Sequence, residues 1–259
     1  MNNNWEFDQR LYQELNAARE ETVREIVTAL KDEMELKTAV DVGCGLGHFT
    51  NFLGSLGFRA VGVDARKENV EEARRRYPNV QFEVRNAEDP ELLGLGTFDL
   101  VLCFGLLYHL ENPFRVIRTL GSMTGKLALL EGICYPSDEP VMVLIDEDRL
   151  EDQGVNYVAY YPSEACLFKM LYSSGFLACF HPAKMPRHSF YQPAGNSFRY
   201  RTIIAASKTQ TTSSVLAIRP QTPSDLRSWR LKPMRALGPR TDRAVRALSK
   251  YLERRDEAK

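Results

Sequence analysis

Between Phe7 and Met34 apolar residues recur every three or four positions, at Leu11, Leu15, Ala18, Val23, Ile26, Val27, Leu30 and Met34. That spacing predicts one or two amphipathic helices at the start of the chain. A short apolar run, Ala39 to Val42, then enters a glycine-rich turn, and Phe49 to Leu56 reads as a helix that Gly57 ends. The unit repeats: Ala60 to Val63 as strand, Lys67 to Arg76 as helix, Val80 to Val84 and Phe98 to Phe104 as strands, Pro113 to Leu120 as helix, Leu127 to Glu131 as strand. Such alternation predicts an α/β fold with a mostly parallel sheet covered by helices on both faces.

Beyond Glu131 the rhythm breaks. Residues 133–161 read as an irregular acidic and aromatic insertion, followed by a helix from Ser163, its N-cap, to Ser174, with Gly175 as the stop. Phe176 to Phe180 and Tyr200 to Ala206 predict two last strands. The polar segment after Ser207 reads as a linker, and Thr241 to Arg255 as a basic helix with Ala244, Val245, Leu248, Tyr251 and Leu252 on one face. The expected organisation is a helical cap over 1–35, a main domain over 36–207 and a tail over 208–259.

Composition narrows this picture in three ways. With 44% hydrophobic and 26% charged residues the 259-residue chain is an ordinary folded protein. Its 34 basic and 34 acidic residues balance, but 13 of the basic and only 5 of the acidic ones fall in 208–259, which leaves a basic tail on an acidic body. Five scattered cysteines without a C-x-x-C pair, and four scattered histidines, suggest neither a disulfide framework nor a metal site. No run approaches the roughly 18 apolar residues of a membrane span, and the first ten residues lack a secretory signal, so the expected location is cytoplasmic, away from membranes.

The chemistry concentrates in Val40-Asp41-Val42-Gly43-Cys44-Gly45-Leu46-Gly47-His48, a strand running into glycines and then a helix. Glycines let a backbone approach a ligand closely. A dinucleotide fingerprint would need glycine at position 48, where the chain has His48, so a nicotinamide dehydrogenase is disfavoured. The second element is Asp64, which ends the next strand 21 residues after Gly43. A carboxylate at that strand tip suits ribose hydroxyls.

Together these motifs resemble the class I S-adenosylmethionine-dependent methyltransferase family over about residues 36–207. The resemblance implies a Rossmann-like, doubly wound, mostly parallel seven-stranded sheet with its last strand antiparallel, S-adenosyl-L-methionine as cofactor and S-adenosyl-L-homocysteine as product. It implies that Gly43, Cys44, Gly45 and Gly47 cradle the methionine and ribose portion, that Asp41 anchors the methionine end, and that Asp64, with Ala65 beside it, holds the ribose. Where the family often has Asp-Ala, this chain has Asn86-Ala87 followed by Glu88, an expected adenine contact. The stretch Phe98 to Leu110 matches a further family motif, in which Phe104, Gly105 and Leu106 would line the cofactor.

The Leu107-Tyr108-His109-Leu110-Glu111-Asn112-Pro113 continuation resembles a group that includes small-molecule methyltransferases and wobble-uridine tRNA modifiers. His109 is the candidate general base, since histidine as a residue type titrates near neutrality; similar methyltransferases also carry His here in a structural or cofactor-side role. Tyr108, Tyr135, Tyr160, Tyr161, His188 and Tyr191 fall in segments expected to face the acceptor or to pack in the core. The signature of amino-directed nucleic-acid methyltransferases, Asn or Asp before Pro-Pro-Tyr or Phe, is replaced by Phe104-Gly105-Leu106-Leu107.

The leading expectation is therefore transfer of a methyl group to an oxygen or nitrogen of a small molecule. The alternative is an RNA-modifying methyltransferase whose tail, with Arg227, Arg230, Lys232, Arg235, Arg240, Arg243 and Arg246, grips phosphates. A third reading is a binding module that keeps the cofactor site without chemistry.

Overall fold

A computed structural model describes residues 5–146, 158–192 and 197–219. The amphipathic stretch near the start forms one helix, α1 (Arg10–Leu30). Then follow β1 (Thr38–Val42), α2 (His48–Ser55), β2 (Arg59–Asp64), α3 (Lys67–Arg76), β3 (Gln81–Val84), β4 (Phe98–Phe104), α4 (Pro113–Met123) and β5 (Thr124–Cys134). The chain continues through β6 (Met142–Asp146), β7 (Val158–Pro162), α5 (Glu164–Ser173), β8 (Ala178–Pro182), β9 (Tyr200–Ser207) and β10 (Leu216–Arg219).

The main sheet has eight strands in the order β10-β8-β9-β5-β4-β1-β2-β3. The first five strands along the chain pair in parallel, whereas β9 runs antiparallel to both β5 and β8, and β10 antiparallel to β8. The mostly parallel, doubly wound architecture is the one expected, with one strand more. That extra strand is β10, which lies in the 208–259 stretch read as linker and tail, just past its polar start. It pairs Leu216 with Pro182 and Arg219 with Cys179 at the sheet edge. The apolar run Val215 to Ile218 is its signal in the sequence, although only Leu216 of β10 is buried while Ala217 and Ile218 are exposed.

Because both faces of a parallel sheet are covered, its central strands are largely apolar and successive residues feed opposite cores. In β4, Leu100 and Leu102 point to the core that holds α1 and α2, and Val101 and Cys103 to the core that holds α4 and α5. Leu15, Val23, Ile26, Val27 and Leu30 of α1 share their cluster with Phe49 and Leu53 of α2 and with Ala39 of β1. The first helix is therefore part of the main core. Within the stretch read as irregular, β6 and β7 form a two-stranded antiparallel hairpin that pairs Leu144 with Tyr160. The basic positions from 227 onward, and the helix read over 241–255, lie outside the described residues.

Candidate active site

The glycine turn joins β1 to α2 in a conformation that side chains resist. Gly43, Gly45 and Gly47 all have positive φ, at 80°, 52° and 83°. A Cβ on Gly43 would stand 3.0 Å from the Leu106 side chain, and one on Gly47 only 2.5 Å from the Phe82 ring. Gly43 and Cys44 both donate their N–H to Val63 O, which fastens the turn to the end of β2.

Asp64 completes that link. Its Oδ2 accepts from Gly45 N at 2.9 Å, and its Oδ1 accepts from Arg66 N at 2.9 Å and Asn69 Nδ2 at 3.2 Å. Those bonds use three of the roughly four acceptor positions of a carboxylate, leaving one on Oδ2.

Above the turn lies a cavity of about 890 Å³, within the usual range of ligand sites, at the carboxyl ends of the parallel strands. Of the residues singled out from the sequence, Gly43, Cys44, Gly45, Asp64, Ala65, Asn86, Ala87, Glu88, Phe104, Gly105, Leu106 and His109 all line it. Asp41 and Gly47 do not. Asp41 is buried on the α2 side of β1, where its Oδ2 accepts the Thr50 hydroxyl at 2.8 Å, and burial pushes its pKa up to about 7. Gly47 packs against Phe82 and Ala73 behind the turn.

The adenine-side candidates are tied to each other. Asn86 Oδ1 accepts from Glu88 N at 3.0 Å, and Glu88 Oε1 accepts from Asn112 N at 2.7 Å. Burial raises the Cys44 thiol pKa well above its ordinary value, which makes it a packing group. His48, at the start of α2, sets its Nε2 2.8 Å from Glu20 Oε1 and so ties α1 to α2.

Of the six aromatic and histidine candidates for the acceptor side, Tyr108 lines the cavity, its ring 4.2 Å from that of His109. Tyr161 of β7 packs edge-on behind it at 6.4 Å. Tyr191 is buried and donates its hydroxyl to Glu131 at 2.8 Å, while Tyr135, Tyr160 and His188 are not part of the lining.

The sequence reading passed over a buried ionic cluster at the far end. Glu131 of β5, its side chain 0% exposed, accepts from Arg19 Nη2 at 2.8 Å and from Arg201 Nη1 at 3.0 and 3.2 Å. Burial works to raise its pKa, but the two guanidiniums and the Tyr191 hydroxyl outweigh that and hold it below the usual value. Arg201 also donates to Tyr108 Oη at 3.0 Å, and both arginines line the cavity. Arg19 falls on the apolar stripe of α1 between Leu15 and Val23; a charge in such a stripe was the available signal.

The chain's first described residues close the cavity over the glycine turn. The Phe7 ring would lie 3.3 Å from a Cβ on Gly45, and Asp8 holds Arg76 of α3 through two contacts of 2.7 Å.

A mostly parallel sheet whose first crossover presents a glycine turn, backed by an acidic tip on the neighbouring strand, defines a nucleotide-type cofactor binder. A family model described as "Methyltransferase domain" matches residues 12–142, half of the chain. The chain belongs to the class I S-adenosylmethionine-dependent methyltransferase family, whose cofactor is S-adenosylmethionine.

It is similar to a Shewanella baltica tRNA U34 carboxymethyltransferase, 32% identical over 158 residues that make up 58% of this chain and 45% of that protein. It is also similar to a ubiquinone biosynthesis O-methyltransferase of Xanthomonas axonopodis pv. citri, 33% identical over 97 residues, 35% of this chain and 41% of the relative. The chain thus spans less than half the length of these relatives. Among solved structures, the N-terminal domain of EvdMO1 with SAH bound shares the fold at a TM-score of 0.61 and 20% identity, covering 73% of this chain and 80% of that one. Among the described residues no helix is long and apolar enough to cross a membrane.

Proposed function

We propose that this chain transfers a methyl group from S-adenosylmethionine to an oxygen or nitrogen of a small-molecule acceptor. The observation that carries this reading is a single cavity that runs from Asp64 and the glycine turn, past His109 and Tyr108, to Arg201. Its volume of about 890 Å³ is at the upper end of the range for ligand sites, and Phe7 and Tyr12 stand at its wall.

Gly43 and Gly45 leave space where side chains would intrude, which suits the methionine and ribose portion, and Asp64 Oδ2 keeps a lone pair for a ribose hydroxyl. Asn86, Ala87 and Glu88 take the adenine end, and Phe104, Gly105 and Leu106 face the sulfonium end. Asp41 and Gly47 serve from behind, by shaping the turn. When bound, the cofactor supplies an electrophilic methyl on a sulfonium, so the protein's contribution is largely positioning. The acceptor oxygen or nitrogen would take that methyl, with the electron pair of the bond given up staying on sulfur. In this reading His109, which lines the cavity, takes the acceptor's proton.

A second reading, methylation of RNA, draws on the tRNA-modifying name of one relative and on the basic residues beyond 219. Radiolabelled methyl transfer from S-adenosylmethionine into a cell extract separates the two. Label in low-molecular-weight material is expected. Label confined to ribonuclease-sensitive polymer would overturn the proposal in favour of RNA.

A further inference from the structure

The cluster at the end of the cavity has two guanidiniums and one carboxylate, and so a net positive charge held out of water. Glu131 is completely enclosed and the side chains of Arg19 and Arg201 are 8% and 10% exposed. An unbalanced buried charge is costly, and a ligand anion relieves that cost. Arg19 uses three of its five N–H groups, donating from Nε to Tyr191 Oη at 3.2 Å, from Nη1 to Asn16 Oδ1 at 3.0 Å and from Nη2 to Glu131. Arg201 spends one nitrogen on Glu131 and another on Tyr108. Both arginines therefore keep donors, and both face the cavity.

The position of the cluster assigns it to the acceptor. In the sheet order, Glu131 on β5 and Arg201 on β9 lie beyond β4, while the glycine turn follows β1 and Asp64 ends β2 on the other side. With neighbouring strands roughly 4.8 Å apart, β5 is about 10 Å from β1. The wall between is aromatic: the Arg201 guanidinium lies 5.4 Å from the centre of the Tyr108 ring, which contacts His109.

We propose that the methyl acceptor is an aromatic acid whose carboxylate sits on Arg201 and Arg19 while its ring lies against Tyr108. This rests on the small-molecule reading above and names its substrate class. A planar guanidinium fork matches a carboxylate better than a point charge does. The methionine part of the cofactor also carries a carboxylate, so the test must distinguish the two sources.

The experiment is calorimetric titration of benzoate and benzamide into protein saturated with S-adenosylhomocysteine, for wild type, Arg201→Gln and Arg201→Lys. Arg201→Gln leaves Arg19 and Glu131 as a neutral pair, and circular dichroism checks that each variant is folded. Wild type is expected to prefer benzoate by about tenfold or more, as befits a charge-assisted contact. Arg201→Gln abolishes the preference and Arg201→Lys retains part of it, with S-adenosylhomocysteine affinity unchanged in both.

Equal binding of the two probes overturns the proposal, and so does a stronger response to inorganic phosphate than to benzoate. If Arg201→Gln weakens S-adenosylhomocysteine but not methylthioadenosine, which lacks the amino-acid part, the seat belongs to the cofactor and the proposal falls. If S-adenosylhomocysteine does not bind at all, the methyltransfer reading fails separately; benzoate preference in the ligand-free protein would still show the anion seat.

Discussion

Asp41 and Thr50 meet inside the fold, a carboxyl accepting a hydroxyl at 2.8 Å with Asp41 2% and Thr50 0% exposed. Burial raises the Asp41 pKa from 3.8 to about 7, opposed by the Thr50 hydrogen bond and reinforced by the charge of Asp64. Between those two values the folded chain holds a proton that the unfolded chain has released. Stability must then fall as pH rises from about 4 to about 7 and level off above.

At about 1.4 kcal/mol per pKa unit, the loss from this group is on the order of 1–4 kcal/mol. Asp41→Asn removes the titration. Urea unfolding should show the variant more stable than wild type at pH 8, with the gap closing toward pH 5. Parallel profiles for the two proteins would disprove the assignment.

Gly47 holds φ at 83° with the Phe82 ring 2.5 Å from the place of a Cβ. An alanine there meets both the left-handed backbone penalty and a clash in the core. Gly47→Ala should cost about 2 kcal/mol or more, read as a lower urea midpoint. A midpoint within error of wild type would mean that Phe82 yields freely.

His109→Gln tests the base. For an oxygen acceptor, loss of proton transfer should lower kcat by roughly 10²-fold or more, while S-adenosylhomocysteine affinity stays within a few-fold of wild type. A variant whose turnover is unchanged would leave His109 a packing role on Tyr108.

What could be read from the sequence was local. The glycine turn and Asp64 sit in short contiguous motifs, and the alternation of Leu100 to Phe104 between two cores follows from strand geometry alone. The cluster around Glu131 could not be read that way, because Arg19 and Arg201 reach it across 112 and 70 residues. Its only trace was a charge inside the apolar stripe of α1 and another at the end of the apolar run in β5. Strand β10 left only a short run, Val215 to Ile218, behind the polar segment that follows Ser207, and its pairing with β8 at the sheet edge is a long-range contact that no local pattern reveals. Asp41 was placed at the methionine end by resemblance, and its side chain turns instead to Thr50.

If the turn and Asp64 form the cofactor seat, calorimetric titration of S-adenosylhomocysteine will separate wild type from Asp64→Ala. Losing a charge-assisted hydrogen bond, and the tether on Gly45 N, should cost roughly 1–3 kcal/mol, or about 5- to 150-fold in Kd. Equal affinity in the two proteins would mean that Asp64 holds no part of the cofactor.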